Sequence, residues 1–160
     1  MEITLEEAKA MNKGYSDAFP MVVVYQRMVE KAFFKKGYVQ SPSGRRYYLS
    51  DSWRFYKGGN YLIQGWCADM LKEKMIEVDE WLAEKGLHGK VFMVLCVHDE
   101  LMFEVPDAKD DWCIPHIQRI MQDLPQVMLP IVAEVEYTET YWSAKKPVID
   151  VESLDKRSVA

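Results

Sequence analysis

An α+β fold is predicted for this chain of 160 residues by three features of its sequence. Two long stretches carry apolar residues at three- and four-residue spacing. A continuous apolar run, Val91-Phe92-Met93-Val94-Leu95-Cys96-Val97, is followed after a polar break by a second strand-like run, and a short basic hairpin pattern separates the two helical stretches. With 49% hydrophobic and 28% charged positions, the chain has the length and composition of one ordinary globular domain.

The elements follow in order. Residues Thr4 to Asn12 read as a short helix, with Thr4 to cap it, Glu6 and Glu7 at its positive end and Gly14 to close it. From about Pro20 to Lys36 a longer helix carries Val22, Val23, Tyr25, Met28, Val29, Ala32 and Phe33 on its apolar stripe, bounded by Pro20 and Gly37. Tyr38-Val39-Gln40, the turn formers Ser41-Pro42-Ser43-Gly44, and Arg45-Arg46-Tyr47-Tyr48-Leu49 form the basic hairpin. A second long helix is expected from about Asn60 to Glu84, with Gly86 ending it. The run Val91 to Val97 is too continuous for one wet face and predicts a strand buried on both sides. Leu101 to Val105 resumes the strand pattern, so the pair predicts a hairpin with His98-Asp99-Glu100 at or beside its tip. Asp110 to Asp123 predicts a helix with Pro115 near its first turn, and Ile131 to Tyr137 a last strand. Residues 1–142 are expected to form one structured segment, and 143–160 a polar C-terminal tail.

Composition narrows the classes of function. No apolar run approaches the roughly 18 to 20 residues that cross a bilayer, and the acidic start is unlike a signal peptide, so a cytoplasmic protein without a membrane partner is expected. Cys67, Cys96 and Cys113 are odd in number, widely spaced and set among apolar residues, which predicts buried thiols and neither a disulfide framework nor a zinc knuckle. The net charge of −5 conceals an asymmetry: Arg27 to Lys57 carries +6, leaving −11 for the rest. Aromatic residues interleave those bases, a mixture suited to phosphate contacts, although a solvated basic face has the same composition.

Two constellations carry possible chemistry. Asp99 and Glu100 directly follow seven apolar residues, at the edge of a region where unpaired charge is expensive. Magnesium suits them, because it prefers hard carboxylate oxygens and shares its other positions with water and phosphates. The alternative is that Asp99 merely favours a turn. Asn60 and Gln64, four apart, share one helical face and are able to read acceptors common to every base pair in a minor groove. Ordinary capping or surface amides have the same spacing. Gly65 and Ala68 beside them permit close backbone approach.

Taken together and in order, these segments resemble the bacterial DNA polymerase I group, family A, including its phage-type members. Glu6-Glu7-Ala8-Lys9, Phe19-Pro20, Gly37-Tyr38-Val39 and Gly44-Arg45-Arg46-Tyr47-Tyr48-Leu49-Ser50-Asp51 are similar to that family's segment after the nucleotide-binding fingers helix. Asn60-Tyr61-Leu62-Ile63-Gln64-Gly65 resembles its Asn-x-x-x-Gln-Gly helix start. Val97-His98-Asp99-Glu100 resembles its third catalytic motif, and Tyr141-Trp142 its terminal aromatic signal. Two departures stand out. Tyr56 occupies the place of a common arginine, for which Arg54 or Lys57 would compensate, and Trp66-Cys67 replace smaller residues.

The resemblance implies half of a polymerase palm, with an antiparallel hairpin bearing the catalytic Asp packed against long helices. It implies that Asp99 holds the catalytic Mg2+ ions with Glu100 assisting, and that His98 supports the primer end. Asn60 and Gln64 would contact the minor groove, and Arg45 and Arg46 the nucleic-acid backbone, with Arg54 and Lys57 as further DNA contacts. The implied partners are primer-template DNA and dNTP. No Asp-Tyr-Ser-like first motif and no Lys-containing fingers helix occurs within the chain. Two-metal chemistry needs more than one aspartate. The preferred expectation is therefore one chain of a split polymerase, with the other Asp on an N-terminal polymerase fragment, and a truncated piece of a longer polymerase is the alternative to a natural split. A non-catalytic DNA-binding module and an inactive remnant are the alternatives.

Overall fold

Residues 3–49 and 56–147 are described by the computed structural model. They fall into two compact units, Met1–Asp69 and Met70–Ala160, with the boundary inside one helix. Helices and small antiparallel hairpins make up both, as the α+β expectation required.

The first unit opens with α1, Leu5–Ala18. Thr4 and Glu7 form a reciprocal cap: the Glu7 amide donates to Thr4 Oγ1 at 3.2 Å, and the Thr4 amide to Glu7 Oε2 at 2.8 Å. The helix does not close at Gly14, as its glycine suggested. A mid-helix glycine costs only about 1 kcal/mol against alanine, and the Lys13–Asp17 pair at 2.6 Å helps carry the helix on to Ala18. Pro20 begins α2, Pro20–Lys36, and Gly37 ends it at φ 77, its amide donating to the Phe33 carbonyl. Strands β1, Tyr38–Gln40, and β2, Arg46–Tyr48, pair antiparallel with Val39 opposite Tyr47. Val29, Phe33 and Val39 form the buried core, flanked by Tyr25, Tyr47, Leu49 and Leu62.

Helix α3, Tyr56–Glu84, starts before the expected Asn60 and takes in two glycines. Packing overrides their poor propensity. A Cβ on Gly58 would lie 3.2 Å from Val29 Cγ1 and 3.3 Å from Val39 Cγ1, while the Gly59 carbonyl accepts from Tyr25 Oη at 3.0 Å. The glycines let α3 meet α2 and β1 closely.

The second unit closes around Val78, Trp81, Leu82, Leu87, Val91, Cys113 and Ile117. After α3, Gly86 adopts φ 63 and the Leu87 amide donates to the Leu82 carbonyl at 2.8 Å, which turns Leu87 into the core. Strands β3, Phe92–Val97, and β4, Glu100–Glu104, then form an antiparallel hairpin. Burial on both faces of β3 is not observed. Phe92, Val94 and Leu95 remain 48%, 47% and 49% exposed, so this two-stranded sheet is left open there, and its register shifts between Met93 and Leu95. Met93 and Phe103 are the residues that pack on the core.

Helix α4, Asp107–Gln122, begins earlier than Asp110, so Pro115 lies inside the helix and not near its first turn. Burial of Cys113, Pro115 and Ile117 offsets the backbone bond that proline forfeits. The last expected strand shrinks to β5, Glu136–Tyr137, which pairs with β6, Lys146–Pro147. Before it, the Ala133 carbonyl is taken by Gln118 Nε2 at 2.7 Å instead of by a neighbouring strand. A 3-10 turn spans Trp142–Ala144, so residues 143–147 of the expected tail carry ordered structure; 148–160 lie outside the described residues. Of the cysteines only Cys113 is buried. Cys67 falls on the outer side of α3 and Cys96 on the open hairpin, which corrects the expectation of three buried thiols. No described helix is long and apolar enough to cross a membrane.

Candidate functional site

The first unit gathers the basic and amide residues. Gly58, Leu62, Gly65 and Asp69 turn inward along α3, leaving Asn60 and Gln64 exposed on its outer side, in the second and third turns. Lys57 sits half-buried in the first turn; Arg54 and Asp51 lie outside the described residues. Gly65 has a sharply defined reason. A Cβ there would fall 1.7 Å from Tyr47 Oη and 2.6 Å from Tyr47 Cζ, so the β2 tyrosine occupies the space any side chain would need. The Tyr47 hydroxyl is buried and finds no hydrogen-bond partner among the described residues.

The two arginines of the hairpin differ. Arg45 Nε lies 3.0 Å and 3.1 Å from the two oxygens of Asp69, a buried carboxylate that also accepts from Ser43 Oγ at 2.6 Å. This bidentate grip fastens the hairpin turn to α3, and the carboxylate holds the Arg45 guanidinium further above its ordinary pKa. Arg46 is exposed and stacks over the Tyr38 ring at 4.9 Å from its centroid. Along α2, Arg27, Lys31 and Lys35 recur at four-residue spacing and are all exposed, forming one basic stripe.

In the second unit, the chain reverses between Val97 and Glu100 through two residues, His98 and Asp99. His98 takes φ 55, the sole positive φ outside glycine among the described residues. Asp99 is exposed at this tip, and none of the described side chains bonds its carboxylate. Glu100, the first residue of β4, is held: its Oε1 accepts from Lys145 Nζ at 2.7 Å and from Trp142 Nε1 at 3.3 Å. The Lys145 hydrogen bond, chiefly, lowers the Glu100 pKa below the usual carboxylate range, and Glu100 together with Glu136 raises that of Lys145. No group of three or more His, Cys, Asp or Glu suited to a metal occurs among the described residues. A lone open carboxylate fits magnesium as one hard ligand, with the remaining positions left to other donors.

Sequence reasoning missed Asp69, Tyr47 and Lys145. The Gln-Gly pair at Gln64-Gly65 pointed to close approach without naming Tyr47 as the neighbour, and Lys145 stood in a segment read as tail.

The model of DNA polymerase family A matches residues 1–143, and the chain belongs to that family. It is 34% identical over 152 residues to DNA polymerase I of Streptococcus pneumoniae, covering 89% of this chain and 17% of that protein. It is 29% identical over 155 residues to the thermostable DNA polymerase I of Thermus aquaticus, covering 91% of this chain and 18% of the relative. The chain thus spans less than a fifth of these relatives' length. Among solved structures, the POL domain of Pol1 from M. smegmatis in complex with DNA primer-template and dNTP is similar, with a TM-score of 0.69 and 33% identity over 76% of this chain and 23% of that one.

Proposed function

We propose that this chain is part of a DNA-directed DNA polymerase, supplying one catalytic aspartate and primer-template contacts for template-directed nucleotidyl transfer. The observation that carries the reading is Asp99: in a family-A chain, it stands exposed on a two-residue turn with no described side chain bonded to it. A carboxylate so placed is available to Mg2+, which in two-metal transfer stabilises the attacking and leaving oxygens. Asp99 would hold the ion, with His98 beside it toward the primer end. Asn60 and Gln64 would face the minor groove of the primer-template. Arg46, Lys57 and Arg54, with Arg45 through its outer edge, would meet the phosphates.

The second catalytic Asp and the dNTP-binding fingers helix, which residues 1–160 do not include, would be supplied by an N-terminal polymerase fragment. Exposed apolar side chains in each unit support a missing partner, among them Met11, Phe19, Met21 and Met28 in the first and Phe92, Leu95, Met128 and Leu129 in the second. The test is single-turnover primer extension by the chain combined with such a fragment, at saturating Mg2+ and dNTP. Asp99→Asn keeps the volume and turn preference, so the complex should still assemble and bind primer-template while losing nearly all extension. Near-normal extension by Asp99→Asn would leave only a DNA-binding module.

A further inference from the structure

Resting on that reading, we propose that Lys145 is a positioning residue for Glu100, and that with Trp142 it separates the roles of two adjacent carboxylates. Asp99 and Glu100 are neighbours in sequence, yet no described side chain bonds the first, and the second is held from 45 residues away. Two donors converge on the same oxygen, Glu100 Oε1: the Lys145 ammonium at 2.7 Å and the Trp142 indole N–H at 3.3 Å. Lys145 is itself braced. Its Nζ lies 2.9 Å from Glu136 Oε2 and 5.1 Å from the centroid of the Trp142 ring, and its side chain is only 25% exposed. The pair differs from Lys13–Asp17, whose partners are 77% and 65% exposed and four residues apart on one helix.

Glu100 also closes the turn, pairing with Val97 across the hairpin. A carboxylate swinging free there would compete with Asp99 for a cation at the tip. Bound to Lys145 its charge is matched and its direction set, and Asp99 remains the open ligand. Pairing β5 with β6 puts Lys145 next to the paired residue Lys146, so this short sheet acts as a strap on the start of β4.

The experiment measures single-turnover primer extension by the reconstituted polymerase across a Mg2+ titration. Lys145→Met should slow extension about tenfold and shift the half-saturating Mg2+ by about threefold, with primer-template affinity kept within about twofold. Lys145→Arg should recover most of the rate, since a guanidinium keeps the charge and the donor. Glu136→Gln leaves an acceptor for the same lysine and removes only its charge, so it should slow extension far less than Lys145→Met. Combining Glu100→Gln with Lys145→Met should be no slower than the slower single change, because both act through one contact. A wild-type rate for Lys145→Met, equal impairment by Glu136→Gln, or fully multiplicative losses would each overturn the proposal. Should Lys145→Met fail to assemble, Trp142→Phe, which deletes the second donor alone, must still slow extension. If Asp99→Asn abolishes extension while Lys145→Met is neutral, this inference alone falls; if Asp99→Asn is active, the polymerase reading falls with it.

Discussion

The two units are held by different means. Residues 70–160 close around seven buried side chains on α3, α4 and the connection between α3 and β3. Residues 1–69 bury a core of three, and rely as well on contacts of fixed geometry: glycines that admit Val29, Val39 and Tyr47 to α3, and the Ser43–Arg45–Asp69 grip. An apolar core is tolerant of shape and sensitive to lost volume, whereas a glycine contact or bidentate grip is sensitive to single atoms. The unit carrying Asn60 and Gln64 is thus the one whose surface is set by exact geometry more than by burial.

Four measurements sharpen or break that contrast. Leu87→Ala should cost about 3 kcal/mol in denaturant unfolding, since a buried leucine loses both transfer energy and its neighbours' contacts. A loss below about 1 kcal/mol would mean that the seven-residue cluster does not dominate the second unit. Next comes Gly65→Ala. Helix propensity alone would favour alanine by about 1 kcal/mol, but the collision with Tyr47 should turn this into a net loss of about 2 kcal/mol. Tyr47→Leu in the same chain should relieve much of it, and an additive double variant would refute the contact.

Arg45→Met should lower the melting temperature by less than Gly65→Ala does, leaving Asp69 buried with fewer donors. Arg46→Met should leave melting unchanged and instead weaken duplex binding, reducing the log-log salt slope by about 0.9. Reversed outcomes for the two arginines would break the distinction between grip and phosphate contact. The smallest effect concerns mild acid. Burial, first, and the charges of Arg119 and Lys85 lower the His116 pKa in its stack against Trp81. A depressed folded pKa means that the unfolded chain takes up the proton first, so the contribution is whole above about pH 6.5 and is lost as pH falls through the lower folded value. His116 lies in residues 70–160, so amide exchange at pH 5.5 against pH 7.5 should quicken there before it does in residues 1–69.

What the sequence made legible was local. Thr4, Pro20, Gly37 and the break at His98-Asp99-Glu100 act within a few positions of themselves; the boundaries they marked stand, and the hairpin tip falls at His98-Asp99, with Glu100 already in β4. Gly14 misled because one glycine costs a helix only about 1 kcal/mol, which a neighbouring contact such as Lys13–Asp17 helps offset. The apolar run of β3 misled for a different reason: composition cannot tell whether a second layer covers the strand. Of the candidate site, Asp99, Asn60 and Gln64 could be named from motif and spacing. Arg45 with Asp69, 24 positions apart, and Glu100 with Lys145 could not, because nothing in either neighbourhood encodes a distant charge.

The turn at His98-Asp99 also bears on which genetic changes this chain can survive. Between Val97 and Glu100 there is no slack, and a strand places successive side chains on opposite faces. One codon inserted or deleted at the tip, where it is absorbed by slipping β4 a single step, would send Phe103 outward and Met102 inward and rotate the carboxylates away from their present directions. A longer loop or a bulge would spare the strand but still move Asp99 relative to Glu100, whereas a substitution leaves both in place. Across variants of this chain, the spacing from Val97 to Glu100 should therefore be more invariant than the residues that fill it.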